Sequence, residues 1–468
     1  MEETVENGAM SRALLGDAAE KLVAMRRADI PEAAFAEASV AIRDTIGVTV
    51  AGAREPSFVK LRSAIGRSIA PGPALLAGTS EKIDTLSAGL LNGTASHALD
   101  FDDCSNTMGG HPSAPIVPAI IALAEEADVD GETFIRAYLA GFEFETRLGR
   151  AVNFVHYDKG WHPTATLGTF GAAAASAAML GLDVRSTAGA LAIAASMAAG
   201  IKANFGTDVK PFHVGQAVRN GMLAAYMARE GVDASPVALE HPQGFFEVFN
   251  GADNYKAEML LQGWADPLDI VEIGVAYKQH PCCASTHPAV DAALKLRNKH
   301  DLHPDQISAV RTFTHPRRLR HTNRPNPKSG LDAKFSVQYV VARALLEGVV
   351  SPAVFTEEAV MASDIRALMA RIVSSPHPSA DMSSSEHFFA DVEIDLTDGR
   401  TLKAHVDRPL GRDRDHPLPE GALERKFLAC TVPTLGLPVA EKLCAGLADL
   451  RQASSVAGLF SMLAASGR

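Results

Sequence analysis

The chain has 468 residues, 47% of them hydrophobic and 21% charged, and a formal net charge of −11. That is the composition of a folded globular protein long enough for two domains. The acidic balance argues against a nucleic-acid partner, which calls for a basic face, and five cysteines without a C-x-x-C pair argue against a disulfide framework.

Taken in order, the first six residues carry three glutamates where a signal or transit peptide would be basic. With the cysteine usage, this points to a reducing, cytoplasmic setting. Residues 11–25 set Leu14, Leu15, Ala18, Leu22 and Met25 at helical spacing. Pro31 opens a second helix over 32–50, with Arg43 and Asp44 placed inside an apolar sequence. Further helices are expected over 86–99, 115–126, 131–150, 164–182, 186–201, 214–229 and 236–240. The uncharged stretch 165–182 and the apolar run 188–201 are built mostly of Ala, Gly, Ser and Thr. Such small side chains give little drive into lipid, so two closely packed helices are expected rather than a membrane span.

After Pro267 the texture changes. Residues 270–277 and 307–314 are rich in β-branched side chains and predict strands. Residues 392–396 and 402–406 alternate apolar and polar on either side of Asp398-Gly399, which predicts a hairpin. Helices are expected over 285–297, 336–346 and 357–372, and the pattern is helical again from residue 418. The predicted organisation is mainly α with an inserted α+β domain: a helical domain over 1–266, an α+β domain over 267–405, and a return to the helical domain over 406–468.

Phosphate-cradling, dinucleotide-binding, zinc-protease and nucleophile-elbow motifs are absent from the sequence. The chemistry therefore has to come from His, Lys, Asp and Cys assembled by the fold. His97, Asp100, Asp102 and Asp103 crowd the end of an apolar helix, where acids oppose the helix dipole. Such a cluster is either a site or a solvated helix end, and a divalent cation on Asp100, Asp102, Asp103 and His111 is a third reading. His111 follows two glycines and precedes Pro112. His162 has the same setting before Pro163 and Thr164. Lys210 and His213 lie together just before another expected helix, and the densest reactive stretch runs through Lys278, His280, Cys282, Cys283 and His287. A Cys beside Lys and His would ionise more easily; the alternative is an inert buried thiol.

Taken together in order, these segments resemble the MmgE/PrpD family. The resemblance runs from Arg43-Asp44 through Asn92-Gly93, His97–Asp103, His111-Pro112-Ser113 and Trp161–Thr164. It continues through Lys210–Gly215 and Pro281–Pro288 to Lys334–Tyr339 and Asp398-Gly399. It implies a helical domain, an inserted α+β domain, a site between them in a homodimer, a small polycarboxylate substrate, and no cofactor or metal. It also implies Asp100, His111, His162 and Lys278 as catalytic groups and Lys210 as a substrate-binding one. Cys104 stands where decarboxylase-like members carry Thr, and Cys283 where they carry His. With these departures, Cys283 joins the expected catalytic set, and Cys104, His213 and Thr164 the expected substrate contacts. Asp100 is expected to orient or charge-balance His111, with Asp102 and Asp103 structural, and the loop 104–110 to govern substrate choice.

The shared chemistry breaks a bond next to a carboxylate, which needs an acid or base and fixed positive charge. His111 or His162 with Asp100 on one side, and Lys278 with Cys283 on the other, suggest acid/base groups on two faces. The expected reaction is therefore epimerisation of an imino- or aminodicarboxylate such as iminodisuccinate. A 2-methylcitrate-type dehydratase or a related decarboxylase is the alternative, and a non-catalytic carboxylate-binding relative is a third.

Overall fold

The computed structural model describes residues 13–382 and 387–465. The glutamate-rich first six residues, and the first two residues of the helix expected over 11–25, lie outside them. The long apolar patterns become helices at Leu14–Ala24, Glu32–Gly52, Thr85–Ala98, Ser113–Ala127, Gly131–Val152, Pro163–Met179, Val184–Met197 and Val209–Arg229. Their buried faces merge into one cluster that runs from Leu15 to Leu463 and so draws on both ends of the chain. The helices Ala422–Leu435 and Leu437–Ala448 complete it.

The Ala- and Gly-rich helices pack closely, as their composition requires. A Cβ added at Gly215 would collide with the Leu90 carbonyl and the Thr94 hydroxyl, so the helices Val209–Arg229 and Thr85–Ala98 meet backbone to backbone. Among the described residues, no helix is long and apolar enough to cross a membrane.

A second apolar cluster, from Cys282 to Leu396, belongs to a four-stranded sheet and its helices. In spatial order its strands are Ile372–Pro376, Ile307–Thr314, Ala390–Leu396 and Thr401–Val406. The first pair is parallel and the rest antiparallel. The expected hairpin is present, with Asp395 opposite Thr401 and Val392 opposite Ala404. Alternate residues of Ala390–Leu396 are buried, because one face of the sheet lies on the helix His287–His300. The fold class is thus mainly α with a smaller α+β part.

Three local expectations fail. Residues 270–277 are not a strand: a short helix, Asp269–Glu272, is followed by extended chain whose one bridge joins Ala276 to Cys104. The β-branched run pairs with the helical part instead of entering the sheet. Residues 236–240 form turns, because too few residues separate Pro236 from Gly244 for a stable helix. The expected helix 357–372 breaks at Ala362 into Glu357–Met361 and Ser363–Met369, and Ile372 already begins a strand. A helix at Pro56–Ile65 and a two-stranded ribbon, Pro71–Leu75 with Lys82–Ile83, were not expected.

Candidate active site

The helix Thr85–Ala98 ends in a buried position, and the chain turns there through Asp100 at φ +51°. Asp tolerates this left-handed geometry better than most residues. A buried helix end leaves carbonyls without partners. Here three lysines from distant segments supply them: Lys334 Nζ donates to the Leu99 carbonyl at 2.7 Å, Lys278 to that of Asp100 at 2.8 Å, and Lys426 to that of Phe101 at 2.7 Å. The acidic residues at this helix end are therefore embedded in positive charge, which removes their conflict with the helix dipole.

Lys210 and Lys278 both reach Asp100 Oδ1, at 2.8 and 3.0 Å. Burial pushes the Asp100 carboxyl up, but the two ammoniums outweigh it and hold the pKa well below the usual carboxylate range. Lys278 is raised in turn: burial opposes its charge, and Asp100 more than compensates. Asp102 Oδ2 takes two imidazole nitrogens, His97 Nδ1 at 2.7 Å and His111 Nδ1 at 3.0 Å. The two rings respond oppositely. Burial, with Lys210 close by, drives His97 down to about 3, so it is neutral; its Nε2 accepts from Lys210 at 2.6 Å. His111 resists burial because Asp102 and Cys104 face it, and its pKa rises to about 9. At neutral pH His111 is a charged acid. His162, buried among Lys210 and other imidazoles, is held neutral, and its Nε2 has no hydrogen-bond partner among the described residues.

These groups wall a cavity between the two apolar clusters. Asp100, Cys104, His111, His162, Thr164 and Lys210 line one side, and Lys278, Cys283, Ser285, Arg318 and His321 the other. Burial raises the Cys282 and Cys283 thiols, so neither is a reactive thiolate at neutral pH. Cys104 behaves differently. Burial would raise it, but His111 and Lys278 bring it down to about 7.

His97, Asp100, Asp102 and His111 each offer a ligand atom, all within 4.8 Å of one another. Their surroundings fit a cation poorly. Asp100 Oδ1 already carries two ammoniums and Asp102 Oδ2 two imidazole nitrogens, and an added divalent ion would face the buried charges of Lys210 and Lys278. The cluster is an acid–base network in which Asp100 Oδ2 and Asp102 Oδ1 have no hydrogen-bond partner among the described residues.

Comparison with known proteins identifies the arrangement. Residues 16–258 match the MmgE/PrpD N-terminal domain, and residues 280–443 the MmgE/PrpD C-terminal domain. The chain belongs to the MmgE/PrpD family. Among curated relatives, the human cis-aconitate decarboxylase is 32% identical over 383 residues, covering 78% of this chain and 77% of the relative. The mouse cis-aconitate decarboxylase is 31% identical, covering 73% and 71%. An Aspergillus terreus cis-aconitate decarboxylase is 27% identical, with 85% of each chain covered. These relatives favour the lyase alternative over the epimerisation of iminodisuccinate.

In this MmgE/PrpD chain most of the expected site residues converge. Asp100, Cys104, His111, His162, Thr164, Lys210, Lys278 and Cys283 all border the cavity. Thr164 Oγ1 accepts from the His111 backbone N–H at 3.1 Å and so holds the His111 loop. His213 does not line the cavity; it stands behind His162, ring nitrogen to ring nitrogen at 3.4 Å. Asp100 lies within ion-pair reach of His111, at 3.8 Å, and so balances its charge. The expected structural role of Asp102 is corrected: it is Asp102 that orients His111, at 3.0 Å, while Asp100 holds the lysines. Asp103 turns away and bonds Ser113. Sequence reasoning missed Arg318, His321, Arg412 and the aromatic wall of Tyr157, Phe205, Phe335 and Phe388. A basic run at 317–320 was the one available signal for Arg318.

The network makes stability depend on pH. His111 rises to about 9, and burial raises Asp103 to about 8 despite its Ser113 hydrogen bond. A group raised in the folded chain contributes stability below its unfolded value, and that contribution is lost as pH climbs through the folded value. Cys104, lowered to about 7, and Lys202, lowered to about 8, work the other way. The His111 share is isolated by urea unfolding of the wild-type protein and of His111→Gln at pH 7 and pH 9.5: the stability advantage of the wild type over the variant is expected to be smaller at the higher pH. An equal or larger advantage at pH 9.5 would contradict the His111 assignment.

Proposed function

We propose that this chain is a lyase that removes a carboxyl group from a small tricarboxylate of the cis-aconitate type, using its own side chains as acid and counter-charge. The observation that carries the reading is His111, bonded to Asp102 at 3.0 Å and so favoured in its protonated form, facing a cavity that also holds Lys210, Lys278, Arg318 and Arg412. Names of relatives 27–32% identical over most of the chain point the same way.

In cis-aconitate, only the carboxyl on the saturated carbon can leave with its electrons delocalised. The breaking C–C bond supplies a new double bond to the central carbon. The former double-bond electrons move to the vinylic carbon, next to its own carboxylate, and that carbon takes a proton. Carbon dioxide and 2-methylidenebutanedioate result. The step needs positive charge at the retained carboxylate, which Lys210 and Lys278 supply, and one proton donor, which is His111. His162, neutral with an unpartnered Nε2, is placed to hydrogen-bond the substrate. Phe205 and Phe335 offer an apolar surface for the departing carboxyl, where loss of its charge is favoured.

Epimerisation asks for a base on one face of the carbon and a proton donor on the other. Neutral His162 and protonated Lys278 meet that demand too, so it is the relatives that favour the lyase.

Proton NMR on the protein with cis-aconitate, 2-methylcitrate, citrate and iminodisuccinate separates the readings. The expected result is consumption of cis-aconitate with two new methylidene proton signals and release of carbon dioxide. Turnover of 2-methylcitrate without carbon dioxide would replace the proposal with a dehydratase. Turnover of iminodisuccinate alone would restore the epimerase.

A further inference from the structure

Two arginines on this cavity form no direct ion pair among the described residues, and the nearest acids, Asp158 for Arg318 and Asp413 for Arg412, act on them only at longer range. Arg412 is 8% exposed, and its guanidinium makes no hydrogen bond or ion pair among the described residues. Arg318 is 6% exposed; one Nη contacts His387, Nε has no partner, and no carboxylate reaches it. What both share is the ring of Phe388, with Arg318 Cζ 4.0 Å and Arg412 Cζ 3.5 Å from its centroid. The Tyr157 ring centroid lies 5.7 Å from Arg318 Cζ. Other arginines of this chain take acids directly: Arg311 binds Glu393 and Asp395, and Arg150 binds Asp269 and Glu272. An aromatic face repays only part of the cost of burying a guanidinium. Burial accordingly lowers Arg412 to about 10.

We propose that Arg318 and Arg412, spaced by Phe388, form a subsite for a terminal carboxylate of the substrate, so that this end of the cavity selects tricarboxylates. Position supports this. Arg412 and Phe388 line this cavity, and together with Asn106 and Phe154 they also line a second, adjoining one. Arg412 and Phe388 therefore stand where the two cavities adjoin, while Arg318, Lys210, Lys278 and His111 border the first cavity alone. A guanidinium fork matches a carboxylate with two parallel hydrogen bonds, which a ring cannot supply. A carboxylate bound here would offset the buried positive charge of the two guanidiniums.

The inference rests on the lyase reading for its substrate, but binding tests it separately. Tricarballylate, a saturated tricarboxylate that cannot be decarboxylated by the allylic route, is titrated calorimetrically into the wild-type protein and into Arg412→Gln and Arg412→Lys. Arg412→Gln is expected to weaken binding at least tenfold and to raise KM for cis-aconitate by a similar factor, with kcat within threefold. Arg412→Lys, which keeps the charge and loses the fork, falls between. Unchanged tricarballylate affinity in folded Arg412→Gln overturns the subsite, as does a loss of kcat at unchanged KM. Arg412-dependent tricarballylate binding in a wild-type protein that leaves cis-aconitate untouched supports the subsite and rejects the lyase. A wild-type protein that does neither rejects both.

Discussion

Replacing His111 with Gln is expected to lower kcat for cis-aconitate about 100- to 10,000-fold, the usual range for removing a general acid, while the protein stays folded. Gln keeps a donor towards Asp102 but has no proton to give. Asp102 also retains its 2.7 Å bond to His97, so no buried carboxylate is orphaned. Circular dichroism and Tm check the fold, and steady-state kinetics check the rate. The wild-type rate should fall as pH rises through about 9, where His111 loses its proton, and the variant should lack that limb. His213→Gln should cost far less, since His213 touches His162 and borders no part of the cavity.

The second large effect is on stability. Lys426→Ala is expected to reduce the unfolding free energy by about 3–5 kcal/mol, the cost of breaking a buried ion pair by removing one partner. Lys426 sits 2.8 Å from Asp44, and both are buried. It also caps the Phe101 carbonyl, so its loss should loosen the turn that carries Asp100 and Asp102 and lower kcat as well. Burial already raises the Asp44 carboxyl against the pull of Lys426. A second change, Asp44→Asn, removes the uncompensated charge and should recover much of the stability but not the activity. Urea unfolding of the single and double variants measures both effects, and a loss below about 1 kcal/mol in Lys426→Ala would remove the pair from this account.

The architecture was legible where one physical signal dominated. Long apolar stripes marked the helices, and alternation around Asp398-Gly399 marked the hairpin that is present at Ala390–Leu396 and Thr401–Val406. The run 270–277 misled because β-branched composition does not say which partner a segment pairs with. It bridges Cys104, far away in sequence. In the site, the order of His, Asp and Lys segments was enough to nominate eight residues that do border the cavity. Which acid serves which base was not legible. Asp100, Asp102 and Asp103 are near neighbours in sequence, yet the left-handed turn at Asp100 sends them to the lysines, to His111 and to Ser113 respectively. Nor could sequence show that Lys278, Lys334 and Lys426, spread over 149 positions of chain, cap adjoining carbonyls of one helix end. Arg318 and Arg412 escaped notice for a related reason. A surface arginine and a buried one without an acid look the same in a sequence.

The central claim is that a C–C bond breaks beside a carboxylate and that a protein acid returns one proton to the vinylic carbon. Running cis-aconitate with the wild-type protein in deuterium oxide tests it directly. The account predicts one carbon dioxide per turnover and a product with a single deuterium in its new CHD group, while unreacted cis-aconitate stays unlabelled. Deuterium entering recovered cis-aconitate without release of carbon dioxide would show C–H cleavage instead, and would contradict it.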